Sequence, residues 1–219
     1  MLINSKYGPS DRNEMLRFIT NMPTASLEIG CREGLFSKSL KEKFPGIVTW
    51  GVEPDESTQV AAKGNLDNAI HDSFPVKKNQ LPKEHFDLII FNDVLEHMYD
   101  PWEALEKCHS LLKSDGIIIA SIPNIRHRPI LRDLILHDLF EYNEAGNLDI
   151  SHIRFFTKTG MLKLFEQTGY DILEIKPLKP ITSPIKQLCH KLTRYKFESL
   201  FIHQYGMSAK PSAKRSISL

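Results

Sequence analysis

Apolar positions along this chain fall into two alternating rhythms. Short, mostly apolar runs at residues 25–29, 47–52, 86–91 and 117–122 read as strands, the nearly all apolar run at 86–91 as a central one. A strand covered on both faces has no polar side to show. Between the runs lie segments with helix-like apolar spacing, at 35–44, 55–65, 102–112 and 157–168. Punctuation agrees with these bounds: Pro45 ends the first helix, Asp55 can cap the second, Pro101 opens the third and Gly169 closes the fourth. Strands at 68–70 and 170–175 extend the series, and a Lys/Pro-rich loop at 75–84 replaces a helix. Ahead of it, residues 11–21 predict a short helix with Met15, Leu16, Phe18 and Ile19 on its apolar side. Behind it, 183–196 reads as helix, 199–209 as a final strand and 210–219 as a frayed end. Strands alternating with helices predict an α/β fold with a parallel sheet and right-handed crossovers.

The stretch 124–151 interrupts that alternation and is long for a connection, so it is expected to carry function. The organisation predicts one domain over 1–219, with a lead-in at 1–23 and a core at 24–176 that holds an insertion at 124–156. A C-terminal part follows at 177–219.

Composition narrows the class. Hydrophobic content of 41% and charged content of 25% suit an ordinary globular chain. No apolar run is long enough to span a bilayer, and residues 1–13 are polar with no signal-peptide core. Cys31, Cys108 and Cys189 are too scattered for a zinc set or a disulfide framework, so a cytoplasmic setting and no metal are expected. The net charge of +1 hides an asymmetry: from Lys176 onward nine Lys and Arg face a single acid, Glu198. That end is either a solvated surface or meets an anionic partner. Ile185, Leu188, Cys189, Leu192 and Tyr195 at helical spacing, with Lys186, His190, Lys191, Arg194 and Lys196 around them, suit docking on the sheet or contact with anionic lipid.

The most informative stretch reads Leu27-Glu-Ile-Gly-Cys-Arg-Glu-Gly34. An apolar strand runs into a glycine turn and a helix, and Glu53 closes the next strand. This is the layout of a nucleotide-binding crevice: glycines admit the ligand to the backbone, and the acid accepts from ribose hydroxyls.

Further motifs follow in order: His71-Asp-Ser-Phe74, Phe86-Asp-Leu-Ile-Ile-Phe-Asn-Asp-Val-Leu-Glu-His97, and Leu111-Leu-Lys-Ser-Asp-Gly116 with Ile122-Pro-Asn124. Together they resemble the class I S-adenosylmethionine-dependent methyltransferases over roughly residues 24–210. The resemblance implies a Rossmann-like, doubly wound sheet of about seven strands with an antiparallel last strand and helices on both faces. It implies S-adenosylmethionine as cofactor, held by Glu28, Gly30, Arg32, Gly34, Glu53, Asp72, Ser73 and Asn92. Each acid alone reads as a cap or surface group; at three successive strand ends they read as one site. The family's middle glycine is Arg32 here, which keeps a non-catalytic, cofactor-binding or scaffolding subunit in view; otherwise its side chain contacts the methionine carboxylate. Gly146-Asn-Leu-Asp-Ile-Ser-His-Ile-Arg-Phe-Phe-Thr157 and the closing Ser199-Leu-Phe-Ile-His-Gln-Tyr-Gly-Met207 look like bacterial methyltransferases found with glycan-assembly enzymes.

A sugar hydroxyl needs a base as its oxygen is methylated, and histidine suits that task near neutral pH. His152 is the preferred base and His97 the runner-up, with a structural or positioning histidine as the plain alternative for each. Asn124, Arg126 and Arg128 follow the fifth long strand, where the two arginines suit a phosphate or diphosphate clamp or a solvated helix start. Tyr142 and Phe140 wall the pocket or pack as core, and Arg154 faces the acceptor beside His152. The resemblance implies a glycan, sugar nucleotide or glycolipid as the acceptor, or alternatively a small metabolite such as a quinone precursor or fatty acid. Val94-Leu-Glu-His97 is shared with that second group. Nucleic acid is disfavoured by the acidic body and by Asn-Asp-Val-Leu at the end of the fourth strand. Glycan-assembly enzymes and an anionic membrane surface are the expected larger partners.

Overall fold

The computed structural model describes residues 10–77, 80–179 and 197–213. The chain opens with a 3-10 helix, Asn13–Phe18, that buries Met15 and Phe18. Then come β1 (Ala25–Ile29), α1 (Leu35–Lys43), β2 (Val48–Glu53), α2 (Glu56–Ala62), β3 (Asn68–His71) and β4 (Phe86–Asn92). They are followed by α3 (Pro101–Cys108), β5 (Leu112–Pro123), α4 (Arg128–His137), α5 (Lys158–Gln167), β6 (Tyr170–Pro177) and β7 (Gln204–Pro211). The seven strands form one sheet in the order β3-β2-β1-β4-β5-β7-β6. The first five pair parallel, and β7 slots antiparallel between β5 and β6. This is the Rossmann-like sheet with an antiparallel last strand.

Strand β4 shows why the middle holds. Leu88 and Ile90 pack on one side with Phe36, Leu40 and Phe18, while Ile89 and Phe91 pack on the other with Leu105, Met161 and Phe165. All four are fully buried, and each such side chain contributes roughly 2 kcal/mol. Helix starts follow their caps: Asp55 accepts from Ser57 N, Asp100 from Glu103 N, and Thr157 from Gly160 N. The opening 3-10 helix is clamped by Phe18, which lies so close to Gly206 of β7 that a Cβ there would meet Phe18 Cε2 at 2.4 Å.

Several expected bounds move. The strand expected at 117–122 reaches back to Leu112 as β5, through an irregularity in its pairing with β4. Within the insertion α4 runs from Arg128 to His137, with Pro129 in its first turn. The expected strand at 199–209 is a 3-10 helix (Glu198–Phe201) followed by β7, so Lys210 and Pro211 are not frayed but pair with Asp171 and Tyr170. The basic helix expected at 183–196 lies outside the described residues. No helix among the described residues is long and apolar enough to cross a membrane.

Candidate functional site

The carboxyl-terminal ends of β1, β2, β3 and β4 meet along one edge of the sheet, where open α/β sheets collect ligands. Gly30, Arg32 and Gly34 all take left-handed backbone, with φ of 65°, 47° and 71°. Gly30 also faces Val94, whose Cγ2 would stand 2.7 Å from a Cβ. The turn is anchored from β2: Glu53 Oε2 accepts from Arg32 N (2.8 Å), and Oε1 accepts from Asp55 N (2.9 Å). Burial raises the pKa of Glu53. Glu28, at the heart of β1, accepts from Ser37 Oγ of α1 (2.5 Å), and burial pushes its pKa up to about 7. Arg32 does through its backbone what the family's glycine does, while its side chain extends beside Glu33 at 3.8 Å.

Asp72 binds its own loop, accepting from Ser73 N (2.8 Å) and Lys77 N (3.2 Å). Asn92 ends β4 with both amide atoms buried and without a partner. A buried amide left so is costly unless a ligand or water completes it. Next to it Asp93, also left-handed (φ 56°), ties β4 to β5, β7 and the lead-in through Ser121, Gln204 and Arg12. No local motif announces that brace, because its partners lie far apart in the chain.

The insertion brings the two histidines together. His97 and His152 lie edge to face with centroids 4.7 Å apart. Each ring has Nδ1 on a backbone carbonyl, His97 on Ser151 O (3.1 Å) and His152 on Asn147 O (3.2 Å). His152 Nε2 stands 4.0 Å from Glu96 Oε1. Burial lowers the pKa of both histidines. Glu96 is almost wholly enclosed, its carboxylate oxygens lack hydrogen-bond donors, and burial lifts its pKa to about 8. Glu96, in the Val94-Leu-Glu-His97 motif, carries no sequence signal that separates it from a structural partner of His97, yet the fold sets it beside the histidine pair as a further candidate. Among the described residues, ligand atoms of Glu96, His97 and His152 lie within 4.8 Å of one another, so this group can hold a divalent cation that the sequence reading did not expect.

The expected acceptor residues are dispersed. Asn124 is buried, and its two amide protons go to Ser199 O and Ile202 O (both 2.7 Å), which makes it a brace between β5 and the C-terminal part. Arg126 turns to Ser199 Oγ (2.8 Å). Arg154 donates to Tyr99 O and lies over the Trp102 ring at 5.9 Å. Of the two expected clamp residues, Arg126 is held at Ser199, and Arg128 stands at the first position of α4. Tyr142 and Phe140 are not core: they stand 47% and 40% exposed and form an aromatic group with Phe155.

Comparison with known proteins agrees with this geometry. A methyltransferase domain family matches residues 10–175. A ubiquinone biosynthesis O-methyltransferase of Bradyrhizobium diazoefficiens is 32% identical over 101 residues, a match covering 45% of this chain and only 39% of that relative. One from Coxiella burnetii is 26% identical over 164 residues, covering 70% of this chain and 68% of that relative. Among solved structures, a SAM dependent methyltransferase from Archaeoglobus fulgidus superposes with a TM-score of 0.62 at 20% identity, over 92% of this chain and 94% of that one. With a family model matched over residues 10–175, the chain belongs to the methyltransferase domain family.

Proposed function

We propose that this chain methylates a hydroxyl of a glycan, sugar nucleotide or glycolipid, with His152 as the base. The observation that carries the reading is the meeting of His152 with His97 and Glu96, delivered by residues 146–157. That segment is the one whose sequence resembles the glycan-linked enzymes.

The groove residues fit the cofactor. Glu53 keeps lone pairs free after accepting two backbone amides, and would take the ribose hydroxyls. The unpartnered Asn92 amide, with Glu28 behind it, would meet the amino-acid end, and Asp72 and Ser73 the adenine. Arg32 would reach the methionine carboxylate. Bound S-adenosylmethionine supplies a methyl group already activated on a sulfonium.

Burial keeps His152 neutral near pH 7, and its Nδ1 bond to Asn147 O leaves Nε2 as the proton acceptor. Asp149 nearby favours the ring once it carries the proton. Two further readings have support. The curated relatives point to a small acceptor such as a quinone precursor. The Glu96, His97 and His152 group also suits a cation that would acidify the acceptor hydroxyl in place of a base.

Transfer of labelled methyl to sugar nucleotides, polysaccharide extracts and quinone precursors tests the proposal. Carbohydrate labelling is expected, with His152→Asn lowering kcat about 100-fold and leaving cofactor affinity intact by calorimetry. Labelling of quinone precursors alone defeats the glycan reading, and undiminished turnover in His152→Asn removes the base. Loss of turnover with a chelator, restored by a divalent cation, selects the metal reading.

A further inference from the structure

The insertion encloses a cleft of about 400 Å³ between α4, the loop at 139–148 and His203 at the start of β7. It adjoins the histidine pair through Asn147, which lines the cleft and whose carbonyl meets His152 Nδ1. The size falls in the usual range for small-molecule pockets.

The lining chemistry is one-sided. Pro129, Ile130, Leu139 and Leu148 make an apolar wall. Among the described residues, the charged groups of the lining are two carboxylates, Asp133 and Glu141, with no Lys or Arg. Asn147 is 7% exposed and holds a fixed orientation: its Nδ2 donates to Asn124 O (2.7 Å) and His203 O (3.0 Å). Its Oδ1 is therefore an acceptor, and it has no donor. His203 is kept uncharged by burial, reinforced by Lys179 and Arg12. Arg126, the natural candidate for a phosphate, is occupied at Ser199 Oγ, and Arg132 pairs with Asp133 at 2.7 Å. Among the described lining residues, an anion entering here would meet the Glu141 carboxylate and find no cation in direct contact. A ligand rich in donors, with one apolar face, would complete the Asn147 acceptor and cover Ile130 and Leu139.

We propose that this cleft binds the acceptor by an uncharged, hydroxyl-rich sugar ring, and not by its phosphate, with hydroxyls donating to Asn147 Oδ1 and Glu141. The inference rests on the carbohydrate reading above and narrows it: any phosphate of the acceptor lies outside this cleft.

The test uses the full chain and saturation-transfer NMR with defined probes: methyl glycosides of glucose, rhamnose and glucosamine, sodium pyrophosphate, and catechol. At least one glycoside is expected to bind, and pyrophosphate and catechol are not. Glu141→Ala should weaken glycoside binding about ten-fold, the value of one hydrogen bond to a charged group. Glu141→Lys should abolish it and admit pyrophosphate. Glu141 is exposed, so these variants keep the fold, and an unchanged S-adenosylmethionine affinity verifies that. Three results overturn the proposal: no glycoside binds, wild type binds pyrophosphate or catechol in a way that Glu141→Lys or Glu141→Ala alters, or glycoside binding survives both variants. A wild-type chain that takes up a glycoside but transfers no methyl group to any carbohydrate would refute the proposed reaction and leave the cleft assignment standing.

Discussion

Replacing Glu28 by Gln isolates the cost of a carboxylate at the heart of β1. Glu28 is 4% exposed, takes one hydrogen bond from Ser37 Oγ, and has its pKa raised from 4.5 to about 7, first by burial. Between those two values the folded chain holds a proton that the unfolded chain has released. Raising the pH through that window therefore favours unfolding. Each pH unit is worth 1.36 kcal/mol, so the ionisation costs the fold about 3 kcal/mol by pH 8. For a chain of this size that is roughly 6–12 °C in Tm. Glu28→Gln keeps the shape and an oxygen for Ser37 while removing the charge. Thermal unfolding at pH 4.5 should give nearly equal Tm for the two proteins, and at pH 8 the variant should be the more stable. The lowered pKa values of His97, His152 and His203 act in the opposite sense, costing stability as pH falls below about 6.5, but they are common to both proteins and cancel in the difference. A Tm difference that does not change between pH 4.5 and pH 8 would refute the reasoning, because it would mean that Glu28 stays ionised in the folded chain.

Glu53→Ala removes the acceptor for two backbone amides of the groove and should weaken S-adenosylmethionine at least ten-fold by calorimetry, about the worth of one charged hydrogen bond; unchanged affinity would take Glu53 out of the site. Arg32→Gly relieves about 1–2 kcal/mol of left-handed strain and gives back about half in chain entropy, so urea unfolding should show a small gain in stability. Loss of cofactor affinity in the same variant would identify a contact by the Arg32 side chain. Gly206→Ala forces a methyl group against Phe18 and Leu178 and should destabilise the fold by about 1–3 kcal/mol; a Tm equal to wild type would show that the opening 3-10 helix is loosely seated.

Local signals made much of the fold legible. Ala25 to Ile29 was readable as β1 to the residue, because Ala25, Leu27 and Ile29 lead straight into the glycine turn at Gly30. Asp55 and Thr157 were readable as helix starts because a cap acts within three residues. The bounds of β5 and β7 were not, since pairing between distant strands extends β5 back to Leu112 and carries β7 out to Pro211. The same divide runs through the site. Gly30, Gly34 and Glu53 stand out because a turn and a strand end are local features. Glu96 did not, because its meaning depends on His152 arriving from 56 positions further along. The partners of Arg126 and Arg154, Ser199 and Tyr99, are likewise too distant in the chain to be read from sequence.

The sheet order also bears on how the chain is made. Among the described residues, β6 is bordered in the sheet by β7 alone, and β7 follows the other six strands in the chain. Until β7 is made, the outer border of β5 and the whole of β6 offer unpaired amides and carbonyls to any neighbouring polypeptide. Arrested or prematurely terminated translation before residue 204 should thus yield sticky, chaperone-dependent products, whereas full-length synthesis seals both borders in a single late insertion.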